Sequence, residues 1–193
     1  EDIASNQKLN IQETNPKNLG QAVHNVLLGM ELISVVENAY EEIASILSQI
    51  KYWVSFSLKT NSENAHTSDL ETRVSLKLKD LDQAAENFKH KGQKLLDGSM
   101  SASAKTESHC FLIVGANGSP ENRINLNTSL NIPSINSNTL GLGELSVGSP
   151  QIGLKGLMVL ENALAITTRL KQRSTALGTH LQRVNQHLST SIE

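Results

Sequence analysis

The chain has 193 residues, with 17 Lys and Arg against 19 Asp and Glu, and a formal net charge of −2. So even a balance gives no basis for a nucleic-acid partner or an anionic membrane surface. Aromatic residues make up only 3%, so a core must be built from Leu, Ile, Val and Ala. Consecutive apolar runs fall well short of the roughly 18 residues that a membrane span needs, and no charged start precedes an apolar stretch of the kind a secretory signal carries. The chain opens on Glu1-Asp2 and closes on Glu193 within a helical pattern, which reads as a fragment or a processed form.

Pro16, with Asn15 as its N-cap, marks the start of a first helix. Val26, Met30, Ile33, Val36, Tyr40, Ile43, Leu47, Ile50 and Val54 recur by threes and fours and predict one helix over about 16–58, with Gly29 in its interior. Residues 60–68 are polar and read as a loop. Ser68 and Glu71 form a capping-box pair that opens a second helix over about 68–89, with Leu70, Val74, Leu78, Leu81, Ala85 and Phe88 as its stripe. Gly92, after Lys89-His90-Lys91, suits the helix C-terminus.

The period then changes. Over about 94–130 the apolar run Cys110–Val114, the Asn117-Gly118 and Pro120 turn signals, and the alternation of Ile124, Leu126 and Thr128 with Asn125, Asn127 and Ser129 predict a β-hairpin region. Residues 131–150 hold two Pro with Ser, Asn and Gly, and read as an irregular return. From about 152 to 192 the helical period comes back. Leu160, Ala163, Thr167, Leu170, Ser174, Leu177, Leu181, Val184 and Leu188 step 3,4,3,4 as a heptad seam. A long helix with so narrow a seam needs a partner, and the first helix is the natural one. The expected fold class is therefore mainly α: an elongated antiparallel bundle of three long helices, in a single domain over 1–193, with a small β-hairpin region between the second and third.

Chemistry is sparse. Cys110 is the only cysteine, so neither an internal disulfide nor a thiolate zinc site can form. A buried structural thiol is its ordinary reading. His180 and His187 share a helix face two turns apart with no carboxylate at i+3 or i+4, which suits surface histidines better than a metal site. Gly141-Leu142-Gly143 lacks the third Gly of a dinucleotide loop, and no nucleophile set is visible. Neither a cofactor nor an enzymatic activity is expected. Asn117-Gly118-Ser119 and Asn127-Thr128-Ser129 are formal N-glycan acceptor patterns.

Several stretches resemble bacterial flagellin. Gly20-Gln21-Ala22-Val23-His24-Asn25 resembles its "GL-Q-A-x-R-N", and Glu37-Asn38-Ala39 with Ile43 to Leu47 its "TAEGALSEI-xx-IL". Leu95-Leu96-Asp97-Gly98-Ser99 matches the "KKLLDGS" turn, Phe111 to Ala116 with Ile124 to Leu126 is similar to "FQVGAN…I-x-I", and Leu140-Gly141-Leu142 matches "LGL". Arg173-Ser174, Ala176-Leu177-Gly178 and Gln182-Arg183 resemble "R-x-x-LGA-x-QNRL", although Arg173 and Leu177 stand one residue further apart. The pieces fall in family order along almost the whole chain.

This resemblance implies the helical core rod of a flagellar filament subunit, extracellular and exported by the flagellar type III system without a cleaved signal. It further implies a hairpin near the outer end of the rod, absent channel-lining terminal helices, and no variable outer domains between Leu126 and Leu140. A fragment of that kind is not expected to polymerise alone. The implied partners are other flagellin subunits, an export chaperone and cap or junction proteins, with at most weak contact to the host flagellin-sensing Toll-like receptor. The family stretch "LQRVRELAVQ", which serves both subunit and receptor contact, falls on Leu47 to Phe56. Its critical Arg falls on Gln49, its Glu on Tyr52 and its Leu on Trp53, while the acidic position of the second helix falls on Arg73. Gln49 removes a forked cation, Arg73 reverses a charge, and Trp53 is too large for a Leu pocket. Trp53 and Phe56 serve equally as helix–helix packing or as an exposed patch reused between subunits. The runner-up readings are a hook–filament junction protein and a secreted adhesin or effector built on the same rod.

Overall fold

The computed structural model describes residues 19–60, 64–115 and 119–191. The expected Pro16 helix start and the Asn117 glycan pattern lie outside these residues. The order is α1 (Leu19–Thr60), α2 (Asn64–Asn87), β1 (Lys89–His90), β2 (Gln93–Lys94), β3 (Phe111–Ile113), β4 (Arg123–Asn125), a short α3 (Leu126–Leu130) and α4 (Pro150–Thr190), with two one-turn 3₁₀ segments at Thr106–Ser108 and Pro120–Asn122. The fold is mainly helical with two small antiparallel strand pairs. At 1.5 Å per residue, α1 and α4 each run roughly 60 Å.

The two long helices are antiparallel partners. Gly29 faces Leu181, Ile33 faces Gly178, and Leu58 faces Gly153. Thr175 hydrogen-bonds Glu37. Lys171 meets Glu41 at 2.6 Å, and Lys51 meets Glu161 at 3.0 Å. Each step up α1 is matched by an equal step down α4, so one register holds throughout. The expected α4 seam is largely buried: Leu160, Ala163, Thr167, Ser174, Leu177, Leu181 and Leu188 are enclosed, with Leu170 and Val184 at the margin. On α1 the buried face is broader, because Leu32, Ala39 and Ile46 join Val36, Ile43, Leu47 and Ile50. This helix packs against both α4 and α2, and a helix with two neighbours needs a wider apolar stripe. By length and composition α1 could cross a membrane, which counting consecutive apolar residues had missed. Its buried stripe accounts for that apolarity as a core helix.

Three local expectations are corrected. First, α2 starts at Asn64, not Ser68. Ser68 lies inside the helix and its carbonyl accepts the Thr72 hydroxyl, while Glu71 reaches away to Ser146 Oγ and to the Val147 amide at 2.8 Å. Secondly, Lys89-His90-Lys91-Gly92 is not a helix end. α2 stops at Asn87, and Lys89 and His90 pair with Lys94 and Gln93 around Lys91 (φ 49°) and Gly92 (φ 83°). Two positive φ values are the signature of a type I′ turn, for which Gly is well suited. Thirdly, the second strand of the main hairpin ends at Asn125. Its Oδ1 caps α3 by accepting the Thr128 amide at 3.1 Å, so Leu126 and Thr128 belong to a helical turn.

The hairpin lies at the end of the rod where α1 begins and α4 finishes. Leu112 of β3 and Leu181 of α4 both crowd Gly29, where an added Cβ would meet their methyls at 2.6 and 2.9 Å. Asn25, 2% exposed, donates to the Ile113 carbonyl at 3.1 Å and clamps the strand to α1. The return segment then climbs alongside α2. Asp97 bridges Ser134, Asp82 takes the Ser137 amide at 2.6 Å and its hydroxyl at 2.8 Å, and Glu71 takes Val147. Ser149 caps α4, with Pro150 in its first turn.

Candidate subunit-contact surface

The outer half of α1 turns Gln49, Tyr52 and Phe56 to one side, at i, i+3 and i+7, away from the buried Ile50–Val54 stripe. Tyr52 is 65% exposed and Phe56 44%. Their rings stack with centroids 6.3 Å apart at 24°. A helix interior could have placed Lys or Glu here at no cost, so two aromatic faces in solvent mark a surface suited to further burial. Trp53 is partly buried and packs against the core, so packing is the use the described contacts give it. Gln49 is exposed on the Tyr52 side. Arg73 stands on α2, its Nε held by Asp69 Oδ2 at 2.8 Å in an exposed i,i+4 pair.

Further apolar groups escaped the sequence reading. Ile152, Leu154 and Met158 are 46, 59 and 71% exposed. They precede Leu160, where the expected seam begins, and stand off the 3,4 step carried back through the buried Gly156 and Gly153. Leu154 and Met158 share the flank on which Glu161 reaches Lys51.

Several singled-out motifs prove architectural. In Leu95-Leu96-Asp97-Gly98-Ser99 both leucines are buried, Asp97 Oδ1 accepts the Ser99 amide at 2.9 Å, and Gly98 has φ 89° against Ser134. Leu140 and Leu142 are buried, and the Leu142 amide donates to the Ser137 carbonyl at 2.7 Å. Asn127, a formal glycan acceptor, is fully buried. Its Oδ1 takes the Cys110 amide at 2.8 Å, and its Nδ2 donates to the Ser99 and Ser101 carbonyls at 2.9 and 3.2 Å. That amide has no room for a sugar. Cys110 is buried and in no disulfide. His180 and His187 lie exposed on α4. Among the described residues no group of three His, Cys, Asp or Glu is placed to hold a metal. An open cavity of about 330 Å³ between α2 and the return segment mixes Asp82, Glu86 and Asp97 with Lys94.

An elongated helical rod closed by a long antiparallel seam, with small strand pairs at one end, is the architecture these observations define. No protein-family model matches the chain. It is 25% identical over 194 aligned residues to the flagellar filament 30.7 kDa core protein of Treponema maltophilum, an alignment that takes in 94% of this chain and 62% of that protein. The chain thus spans under two thirds of that relative's length. Its fold superposes on a crystal structure of Bacillus cereus flagellin with a TM-score of 0.64 at 15% identity, over 87% of this chain and 88% of the other. The chain carries a flagellin-like core domain.

Proposed function

We propose that the chain is a structural subunit of a bacterial flagellar filament, lying outside the cell and serving motility, and that it performs no catalysis. The observation that carries this is the similarity to a filament core protein along 94% of the chain, joined to a fold like that of flagellin. The physics is compatible. A stiff rod with exposed aromatic and aliphatic groups on different helices offers non-equivalent lateral surfaces, and heterologous contacts of that kind propagate into helical filaments instead of closing. Tyr52, Phe56 and Gln49 on α1 form the contact surface in this reading, with other copies of the subunit as first partners and an export chaperone, cap and junction proteins as the others. Export follows the flagellar type III route. Immunogold labelling of flagella on the source cells, with an antibody to this chain, tests the proposal. Gold along the filament is expected, and labelling confined to another structure overturns it.

The same surface bears on host recognition. Gln49 offers no forked cation, Arg73 brings a positive charge already engaged by Asp69, and Trp53 is a bulky group turned into helix packing. We read this as poor recognition by the flagellin-sensing Toll-like receptor. A receptor reporter assay is expected to give weak activation, and full activation at nanomolar protein refutes it.

A further inference from the structure

His90 is the buried titratable group that neither the rod nor the contact surface uses. Its side chain is 4% exposed and its Nε2 meets no hydrogen-bond partner. It sits in the two-residue strand β1, opposite Gln93, immediately before the positive-φ pair Lys91-Gly92. Two-residue strands carry few ladder bonds, so the turn depends on what its side chains bury. Directly after the turn, the Leu95 amide donates to the Phe88 carbonyl at 3.0 Å and closes the base of the loop.

We propose that the Lys89–Lys94 turn is an acid-released latch, in which the enclosed His90 imidazole keeps the turn closed at neutral pH and opens it on taking a proton. The charged groups that act on the ring come from two sides. Burial opposes the proton most, Glu31 on α1 favours it, and Lys91 in the turn itself opposes it. Lys89 and Lys94 pair one step along the ladder, where alternation turns their side chains to the opposite, exposed face. The net result holds the imidazole below its ordinary value of 6.5. A base held below its unfolded value binds fewer protons folded than open. The turn's stability is therefore complete above that value and falls as pH drops through and below it. Opening relieves the burial, and the sites most directly freed are the His90–Gln93 pair and the Leu95 amide. The buried titratable side chain of the α1–α4 seam is Tyr40, whose phenol burial pushes far above its ordinary value of 10.0, so it stays neutral across this range. Thr167 and Ser174, the buried polar residues of α4, do not titrate.

Hydrogen exchange on the full chain at pH 7.5 and pH 5, corrected for intrinsic rates, tests the latch. Protection at Leu95 should fall by about three- to tenfold at the lower pH while Ile43 on α1 keeps its protection. In His90→Phe the difference at Leu95 should vanish, since the ring is retained without its proton site. Unchanged protection in the native chain, or the same loss in the variant, overturns the proposal. If that variant does not fold, NMR titration of the native chain decides. A His90 midpoint below 6.5 with concurrent movement of the Gly92 and Leu95 amides supports the latch. A midpoint at or above 6.5, or amides that stay still, refutes it.

Discussion

The α1–α4 seam and the wrap from Phe88 to Ser149 are built on opposite plans. The seam repeats one operation, with apolar groups every third or fourth residue buried against the same neighbour in a single register. The wrap repeats nothing. It is held by side chains that each satisfy a particular backbone group: Asn25 on Ile113, Asn127 on Cys110, Ser99 and Ser101, Asp82 on Ser137, and Glu71 on Val147. A long helix satisfies its own amides, so only its side chains need a partner. An irregular segment against a core must find a partner for every buried amide and carbonyl, and Asn, Asp and Glu side chains supply it here.

This contrast can be broken most sharply where the two plans meet. Leu181→Ala removes a fully buried side chain that touches the Gly29 notch. It should cost about 2–5 kcal/mol in denaturant unfolding and loosen seam and hairpin together. Asn127→Ala should cost roughly 1–3 kcal/mol for the groups left unpaired. Its exchange signature should be confined to Ser99–Cys110, with the seam unaffected; a uniform loss along α1 would show that the wrap is not independently organised.

Smaller effects sharpen the comparison. Gly92→Ala, at φ 83° with open space around it, should cost roughly 1–2 kcal/mol in thermal unfolding from backbone strain alone. A neutral result would mean that the turn relaxes. Lys171→Ala removes a cross-helix ion pair whose partners are 40 and 59% exposed. It should change stability by less than about 1 kcal/mol, and a larger loss would show that charge, not apolar burial, sets the seam.

The same division explains what could be read from the sequence. Both long helices and their seam follow from spacing, because each apolar residue there reports on its own face, and their antiparallel pairing follows from the helix and hairpin expected between them. The wrap was legible only in outline. Nothing local says that Asn127 turns inward while Asn125 caps a helix, because both are set by the groups that reach them from Ser99, Cys110 and Thr128. Glu71 looked like a cap because its true partner lies at Val147, far along the chain. Lys91-Gly92 was a readable turn signal overshadowed by the preceding helix. Ser149-Pro150 was an equally plain helix start. At the candidate contact surface, the exposure of Tyr52 and Phe56 agrees with their positions off the stripe, whereas Arg73 on α2 has no local pattern to mark it.

The Leu19 end of α1 and the Thr190 end of α4 lie at one extremity of the rod, since Gly29 and Leu181 adjoin there. Force drawn apart through those two ends would peel the helices one contact at a time, the weakest way to load such a joint. Force borne along the length would shear all contacts at once. The rod is thus robust to stretch and bending but vulnerable to splaying at that single extremity, where Asn25 and the Leu112 strand act as a rivet.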